Sequence, residues 1–265
     1  MKSLSLRALA IAIIFAIVVG CSGSKTPVTS EWKSKTIEID GKMDEWQQPL
    51  RYANSATGLS YSIINDDQKL YFCFATSDGR ALSKITMGGL QMQVEAPGMK
   101  PVTLLYPIPG TIKPEKNQSK DQDQNKKKSD YKLAEHATSL QVSGFPFAPA
   151  PTELPLINKF GVNVATEFGK DRFAYEASMP LEGLDLKGKD LTVTITIKGI
   201  PKSQMQSSFN GMQQGGGRTG PGGGYGGGGR GYGGGYGGGY NSYNAAYASM
   251  FSDQKITLSM RLATQ

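Results

Sequence analysis

From Leu191 to Lys198 every second residue is apolar: Leu191, Val193, Ile195 and Ile197 alternate with Thr192, Thr194, Thr196 and Lys198. An extended chain points successive side chains to opposite faces, so this run is a strand with one buried and one wet side. Near the C-terminus the pattern repeats, with Ile256, Leu258, Met260 and Leu262 set against Lys255, Thr257, Ser259 and Arg261. Two such strands need a second layer to cover their apolar side. An antiparallel sandwich supplies it. The two runs are expected beside each other in one sheet or facing each other across the core.

A third run sets the middle of the other layer. In Lys69–Ala75, Leu70, Phe72 and Phe74 fall on one face and Tyr71, Cys73 and Ala75 on the other. Both faces are apolar, so this strand is expected to be central and covered on both sides. Cys73 then reads as a small buried hydrophobe. Leu59–Ile63 is its partner across the polar turn Asn65-Asp66-Asp67-Gln68. Leu90–Val94 and Val102–Tyr106 are further candidate strands, and Leu82–Thr86 is a short apolar segment. Residues 143–158, rich in Pro, read as an irregular crossover. Phe160–Thr166 and Arg172–Ser178 form a hairpin across Gly169-Lys170-Asp171. The fold class is all-β: an antiparallel, jelly-roll-like β-sandwich over residues 35–263.

Two insertions interrupt it. Residues 111–132 hold seven Lys and four acidic residues but only Ile112 and Tyr131 as large apolar ones. They cannot bury enough surface to order themselves. Lys126-Lys127-Lys128 reads as an exposed mixed-charge loop or a basic patch for anionic glycan or lipid. Residues 203–250 lie between the two alternating strands, and there a Tyr followed by glycines recurs around Tyr225, Tyr232, Tyr236 and Tyr240. So dense a run of glycine is expected to be disordered. The tract is similar to the glycine-arginine-tyrosine segments of RNA-binding proteins. An export signal argues against nucleic acid as a partner. A spacer, self-association or stacking of the tyrosines on sugar faces are the remaining roles.

That signal is the N-terminus. Lys2 and Arg7 precede an uncharged run of twelve residues, Ala8–Val19, which is short for a membrane span. Val18-Val19-Gly20-Cys21 closes it and resembles the bacterial lipobox. The resemblance implies that residues 1–20 are removed, that Cys21 is acylated, and that the protein is held on a membrane by more than one acyl chain. No acidic cluster resembling the surface-export tag of Bacteroidetes lipoproteins follows Cys21. The expected location is the outer membrane, facing the periplasm. Residues 21–34 read as a flexible tether. Trp32 stands out in it, with two roles open: a lid on the sandwich or an exposed ring.

Composition removes several chemistries. Two cysteines and one histidine leave no Cys/His zinc site, because His136 has no partner at ligand spacing. With Cys21 acylated, Cys73 has no disulfide partner. Without Lys2 and Arg7 the 29 basic residues fall to 27 against 22 acidic, a net charge of +5. That excess is mild and spread along the chain. No cofactor is expected. A hydrolase would need two converging carboxylates, and Asp44, Glu45 and Glu176 show no sign of converging in the sequence. The chain is therefore read as not an enzyme.

The opening of the sandwich carries the most specific motif. Ile37 and Ile39 alternate with polar neighbours as a short strand, Asp40-Gly41 is a turn, and Asp44-Glu45-Trp46 sets two carboxylates beside an indole. Ile39-Asp40-Gly41-Lys42-Met43-Asp44-Glu45-Trp46 resembles the N-terminal signature of family 9 carbohydrate-binding modules and their DOMON-like relatives. Asn65–Phe72 resembles their polar turn and Leu-Tyr strand. Tyr175–Leu184 resembles a strand bearing a carboxylate, here Glu176, closed by Pro-Leu. These motifs make the fold: Asp40, Gly41, Asp44, Trp46 and Glu176 are read as structural, with calcium at Asp40 and Asp44 the sharper alternative. What the resemblance implies is a non-catalytic sandwich that binds glycan, polysaccharide or peptidoglycan, through aromatic faces. The candidates for those faces are Trp32, Tyr61 and the tract tyrosines Tyr225, Tyr232, Tyr236 and Tyr240. Haem, bound by some relatives, lacks a good axial ligand here. The competing reading is an envelope scaffold whose Gly-Tyr tract makes the contacts.

Overall fold

The computed structural model describes residues 27–111, 137–168, 172–186, 188–203 and 248–265. Two sheets face each other. The first runs β1 (Val28–Thr29), β13 (Gln254–Arg261), β12 (Leu191–Ile197), β6 (Leu90–Glu95), β7 (Val102–Tyr106), β8 (Ser139–Ser143), β9 (Thr152–Pro155) in spatial order. The second runs β10 (Asn163–Phe168), β11 (Phe173–Pro180), β5 (Lys69–Thr76), β4 (Leu59–Asn65), β2 (Glu31–Trp32), and β3 (Tyr52–Asn54) also pairs with β4. The architecture is the expected all-β sandwich. Pairing is antiparallel except for β1 on β13 and β2 on β4.

The two alternating runs are neighbours, in register from Leu191↔Met260 to Ile197↔Gln254. Their apolar sides face the core with Met92, Leu104 and Val142. Opposite them sit Phe72, Phe74, Ile63 and Tyr175. β5 is central, between β11 and β4. Its other face, Tyr71, Cys73 and Ala75, is sealed by a second apolar cluster that brings in Trp46 and Leu50, with Ile37, Ile39 and Met43 against it. The second sheet is thus covered on both sides, and the cover is the stretch from Ile37 to Leu50. Burial pushes the Cys73 thiol far up.

Three local expectations need correction, and one segment left without a structure, Leu82–Thr86, gains one. Ile37-Glu38-Ile39 is not a strand; its isoleucines pack on the outer cluster without joining a ladder. Leu82–Thr86 lies in a helix, α1 (Gly79–Gly88), that crosses from one sheet to the other. The Asp78 carboxylate caps it by accepting from the Arg80 and Ala81 amides, and Gly89 at φ 91 ends it. The crossover at 143–158 contains β9. The expected tether at 21–34 contains β1 and β2, so the folded unit starts earlier than residue 35. Ser30 is the reason those two short strands hold. Its amide donates to the Arg261 carbonyl at 2.9 Å, and its hydroxyl donates to the Asn65 side chain while accepting from the Ala263 amide at 2.9 Å. Four residues thereby sew both sheets together along one edge.

Residues 112–132 and 204–247 of the two insertions fall outside the described residues, as do Cys21 and the turn Gly169-Lys170-Asp171. The points where the Gly-Tyr tract leaves and returns are described. The Ile200 amide donates to Met250 O at 2.8 Å, Lys198 pairs with Asp253 at 2.6 Å, and the Gly199 amide donates to the same carboxylate at 2.9 Å. Lys84 of α1 is buried, 2% exposed, and its ammonium donates to Ser249 O, Ser252 O and Gln254 Oε1 at 3.1, 2.7 and 3.1 Å. The neck of the insertion is closed.

Candidate functional site

The motif residues meet at one carboxylate. Glu176 lies on β11, opposite Cys73 on β5, and is fully buried. Its Oε2 accepts from the Asp40 and Gly41 amides at 3.1 and 2.8 Å, and its Oε1 accepts from the Trp46 indole at 2.5 Å. Burial pushes the Glu176 carboxyl up to about 7, against these three donors, which favour the charged form. Gly41 has φ +90, and a Cβ there would stand 2.8 Å from the Thr166 carbonyl carbon. The Asp40 carboxylate accepts from the Lys42 amide and pairs with the Lys42 ammonium at 3.0 Å. Asp44 is exposed, on the rim of a cleft shared with Lys42, Glu167 and Arg172. Among the described residues no three His, Cys, Asp or Glu side chains stand together as metal ligands.

The aromatic candidates separate. Tyr61 points into the core at 4% exposure, stacked on Tyr52 at 5.2 Å and tilted against Phe74. The alternation of β4 puts it on the same face as Leu59 and Ile63, so it offers no ring face to a ligand. Trp46 is 3% exposed. Tyr225, Tyr232, Tyr236 and Tyr240 lie outside the described residues. Trp32 is half-buried on β2, paired with Asn65.

Trp32 lines a cleft of about 310 Å³. Ile37, Ile64 and Trp46 are the other apolar residues that line it. Glu31, Lys33, Ser34, Lys35, Glu45 and Gln47 supply the polar side. Two of the charges are already used. Glu31 pairs with Arg51 at 3.1 Å. Lys33 pairs with Asp66 and donates to the Tyr71 hydroxyl at 3.0 Å. Despite burial, the Lys33 ammonium, the Gln68 and Lys69 amides and the Tyr71 hydroxyl hold the Asp66 carboxyl down at about 2. The volume sits at the lower end of the range for small-ligand pockets, of order 300 to 1,000 Å³.

The sequence pointed to Trp32 and to the motif, but not to their meeting. The cleft arises because β2 pairs in parallel with β4 while the motif folds back over β4 and β5. Lys33, Lys35 and Gln47 carried no signal of their own. Glu45 lay inside the motif as a neighbour of Trp46, with nothing to say which way it faced.

Known proteins add little. No known protein family and no curated protein matches this chain. Among solved structures it is similar to a family 9 carbohydrate-binding module from Caldicellulosiruptor kristjanssonii, in complex with glucose. The match covers 67% of this chain and 81% of that one, at 10% identity and a TM-score of 0.31.

Proposed function

We propose that this chain is a lipid-anchored, non-catalytic protein of the cell envelope whose sandwich binds the end of a glycan in the Trp32 cleft. The observation that carries the reading is a half-buried tryptophan beside a small cleft edged with hydrogen-bonding groups. Sugars bind such places by laying their C–H faces on an aromatic ring while polar side chains bond the hydroxyls. A pyranose with equatorial hydroxyls, the gluco configuration, offers the flattest C–H face. Anchoring at Cys21 rests on the lipobox resemblance alone, and it would leave the sandwich a few residues from the membrane surface.

A second reading has its own observation. Around Lys84 and Ile200 the described ends of the Gly-Tyr insertion are tied to α1 and to each other, the attachment that a scaffold displaying an adhesive arm would need.

One experiment separates them. A soluble form, residues 25–265, is tested against glucose, cellobiose, xylobiose, di-N-acetylchitobiose, peptidoglycan and insoluble plant polysaccharides. Trp32→Ala and a variant with residues 204–247 replaced by a short linker are run beside it. Binding that survives removal of the tract and is lost with Trp32→Ala supports the cleft. Binding lost with the tract and kept by Trp32→Ala moves the function to the arm.

A further inference from the structure

β10 ends the second sheet. It pairs with β11 on one side, and its other edge meets no strand among the described residues. An open edge is a row of unpaired backbone donors and acceptors, and folded chains block such rows with proline, lysine or brevity. β9, at the edge of the first sheet, is four residues long and holds Pro155. β13 carries Lys255 on the stretch that β1 leaves free. β10 runs six residues, Asn163 to Phe168, with neither proline nor lysine.

The segment that leads into β10 carries a second, independent feature. Ile157 is 93% exposed, and the other exposed large apolar residue among the described ones, Val28, reaches 38%. The loop around Ile157 is firmly held. The Asn158 side chain donates to the Pro155 and Val162 carbonyls at 3.1 and 2.6 Å and accepts from the Phe160 amide at 3.0 Å. Phe160 stacks on Phe147 at 4.4 Å, and Phe147 on the buried Phe145 at 5.1 Å. An apolar group ordered in advance binds without the cost of ordering it.

We infer that β10 is the contact by which two copies of this chain pair, edge to edge and antiparallel, across a two-fold axis. Antiparallel pairing sets the start of one β10 against the end of the other, so the loop at 156–162 of each copy meets the surroundings of Glu167 in the other. There a cleft of about 440 Å³ opens, with Met43, Trp46 and Ala174 as its apolar residues and Asp44 and Glu167 as its carboxylates. Ile157 supplies an apolar knob for the cleft, and Lys159 a cation for the carboxylates. Lys159, Asp44 and Glu167 have no ion-pair partner among the described residues, and Lys42, which shares the cleft, is paired with Asp40. A two-fold contact must be self-complementary, and this patch carries both halves: strand against strand, knob against cleft, lysine against glutamate. A foreign peptide adds a strand with equal ease; the match of loop to cleft is what selects a second copy.

The test is sedimentation velocity on the soluble form, residues 25–265, from dilute to concentrated solution. The variants are Ile157→Asp, Lys159→Glu, Glu167→Lys, the double variant Lys159→Glu with Glu167→Lys, and the one with residues 204–247 replaced by a short linker. The wild type is expected to pass from monomer to dimer as concentration rises, with the β10 amides exchanging more slowly in the dimer. Ile157→Asp and each single charge reversal are expected to weaken the dimer about tenfold or more, and the double reversal to restore it. That rescue has no route within one copy: Asn158 bonds Val162, and Glu167 lies five residues of strand further on, about 16 Å. Melting temperatures in dilute solution check that each variant is folded; where Ile157→Asp is destabilised, the charge swap still decides. A wild type that stays monomeric at every concentration overturns the inference. So does a dimer indifferent to Ile157→Asp and Glu167→Lys, or one that is lost with residues 204–247, which would move self-association to the Gly-Tyr tract.

Discussion

The Trp46 indole donates to Glu176 across 2.5 Å, joining residues 130 positions apart in the chain. With the Asp40 and Gly41 amides on the other oxygen, this one carboxylate pins the N-terminal segment onto the outer face of the second sheet. Replacing Glu176 with Ala leaves buried N–H groups without an acceptor and opens a cavity. The expected loss is about 3 kcal/mol or more in urea unfolding, with Trp46 emission shifting toward that of a solvated ring.

The same group sets a pH dependence. The folded-state carboxyl is raised to about 7, above its ordinary 4.5, because burial disfavours the charge. Its contribution to stability is therefore complete below about 4.5 and is lost as the pH rises through about 7. Unfolding free energy measured from pH 5 to 9 is expected to fall across neutrality. In Glu176→Gln that fall is absent, whatever the variant's absolute stability.

Gly41 is needed for contact as well as for backbone conformation. Gly98 has a similar φ, +80, but open space around its missing Cβ, whereas a Cβ on Gly41 meets the backbone of β10 at 2.8 Å. Gly98→Ala is expected to cost about 1 kcal/mol from backbone strain alone. Gly41→Ala is expected to cost clearly more, on the order of 2–3 kcal/mol. Equal costs in thermal unfolding would show that the loop shifts away from β10 freely.

These positions mark where the sequence was legible and where it was not. β12, β13 and β5 were read correctly because alternation, or its replacement by apolar residues on both faces, follows directly from which sides are buried. Ile37-Glu38-Ile39 shows the same period for another reason: its isoleucines fill an outer cluster, and no ladder is involved. β1 and β2 were hidden because two-residue strands carry no period; Ser30 and its partners Asn65 and Arg261 hold them from distant parts of the chain. α1 was hidden because Lys84 sits on its buried side, where a cation breaks the apolar stripe. For the site, Trp32 and Glu45 were visible as residues. The cleft was not, since it depends on a parallel pairing between segments more than thirty residues apart.

That buried cation gives its own expectation. Lys84 donates to three acceptors in the segment where the Gly-Tyr tract returns. Burial lowers its pKa, and the three acceptors are its compensation. Lys84→Met leaves those acceptors short of a donor and should cost about 2 kcal/mol. The amide of Ile200, which donates to Met250 O across the neck, should exchange with solvent faster, while the β5 amides change only with global stability. Uniform acceleration everywhere would mean that Lys84 holds the whole sandwich and not the neck.

The chain has two tryptophans, so the central claim can be watched directly. Two indole N–H resonances are expected in a nitrogen-15 spectrum of the soluble form, assigned by Trp32→Phe. On titration with cellobiose or di-N-acetylchitobiose, the Trp32 resonance is predicted to shift and saturate, while the Trp46 resonance, held by Glu176, moves far less. A saturating shift confined to Trp46, or no shift of either resonance at the highest concentrations of both sugars, would contradict saccharide binding in the Trp32 cleft.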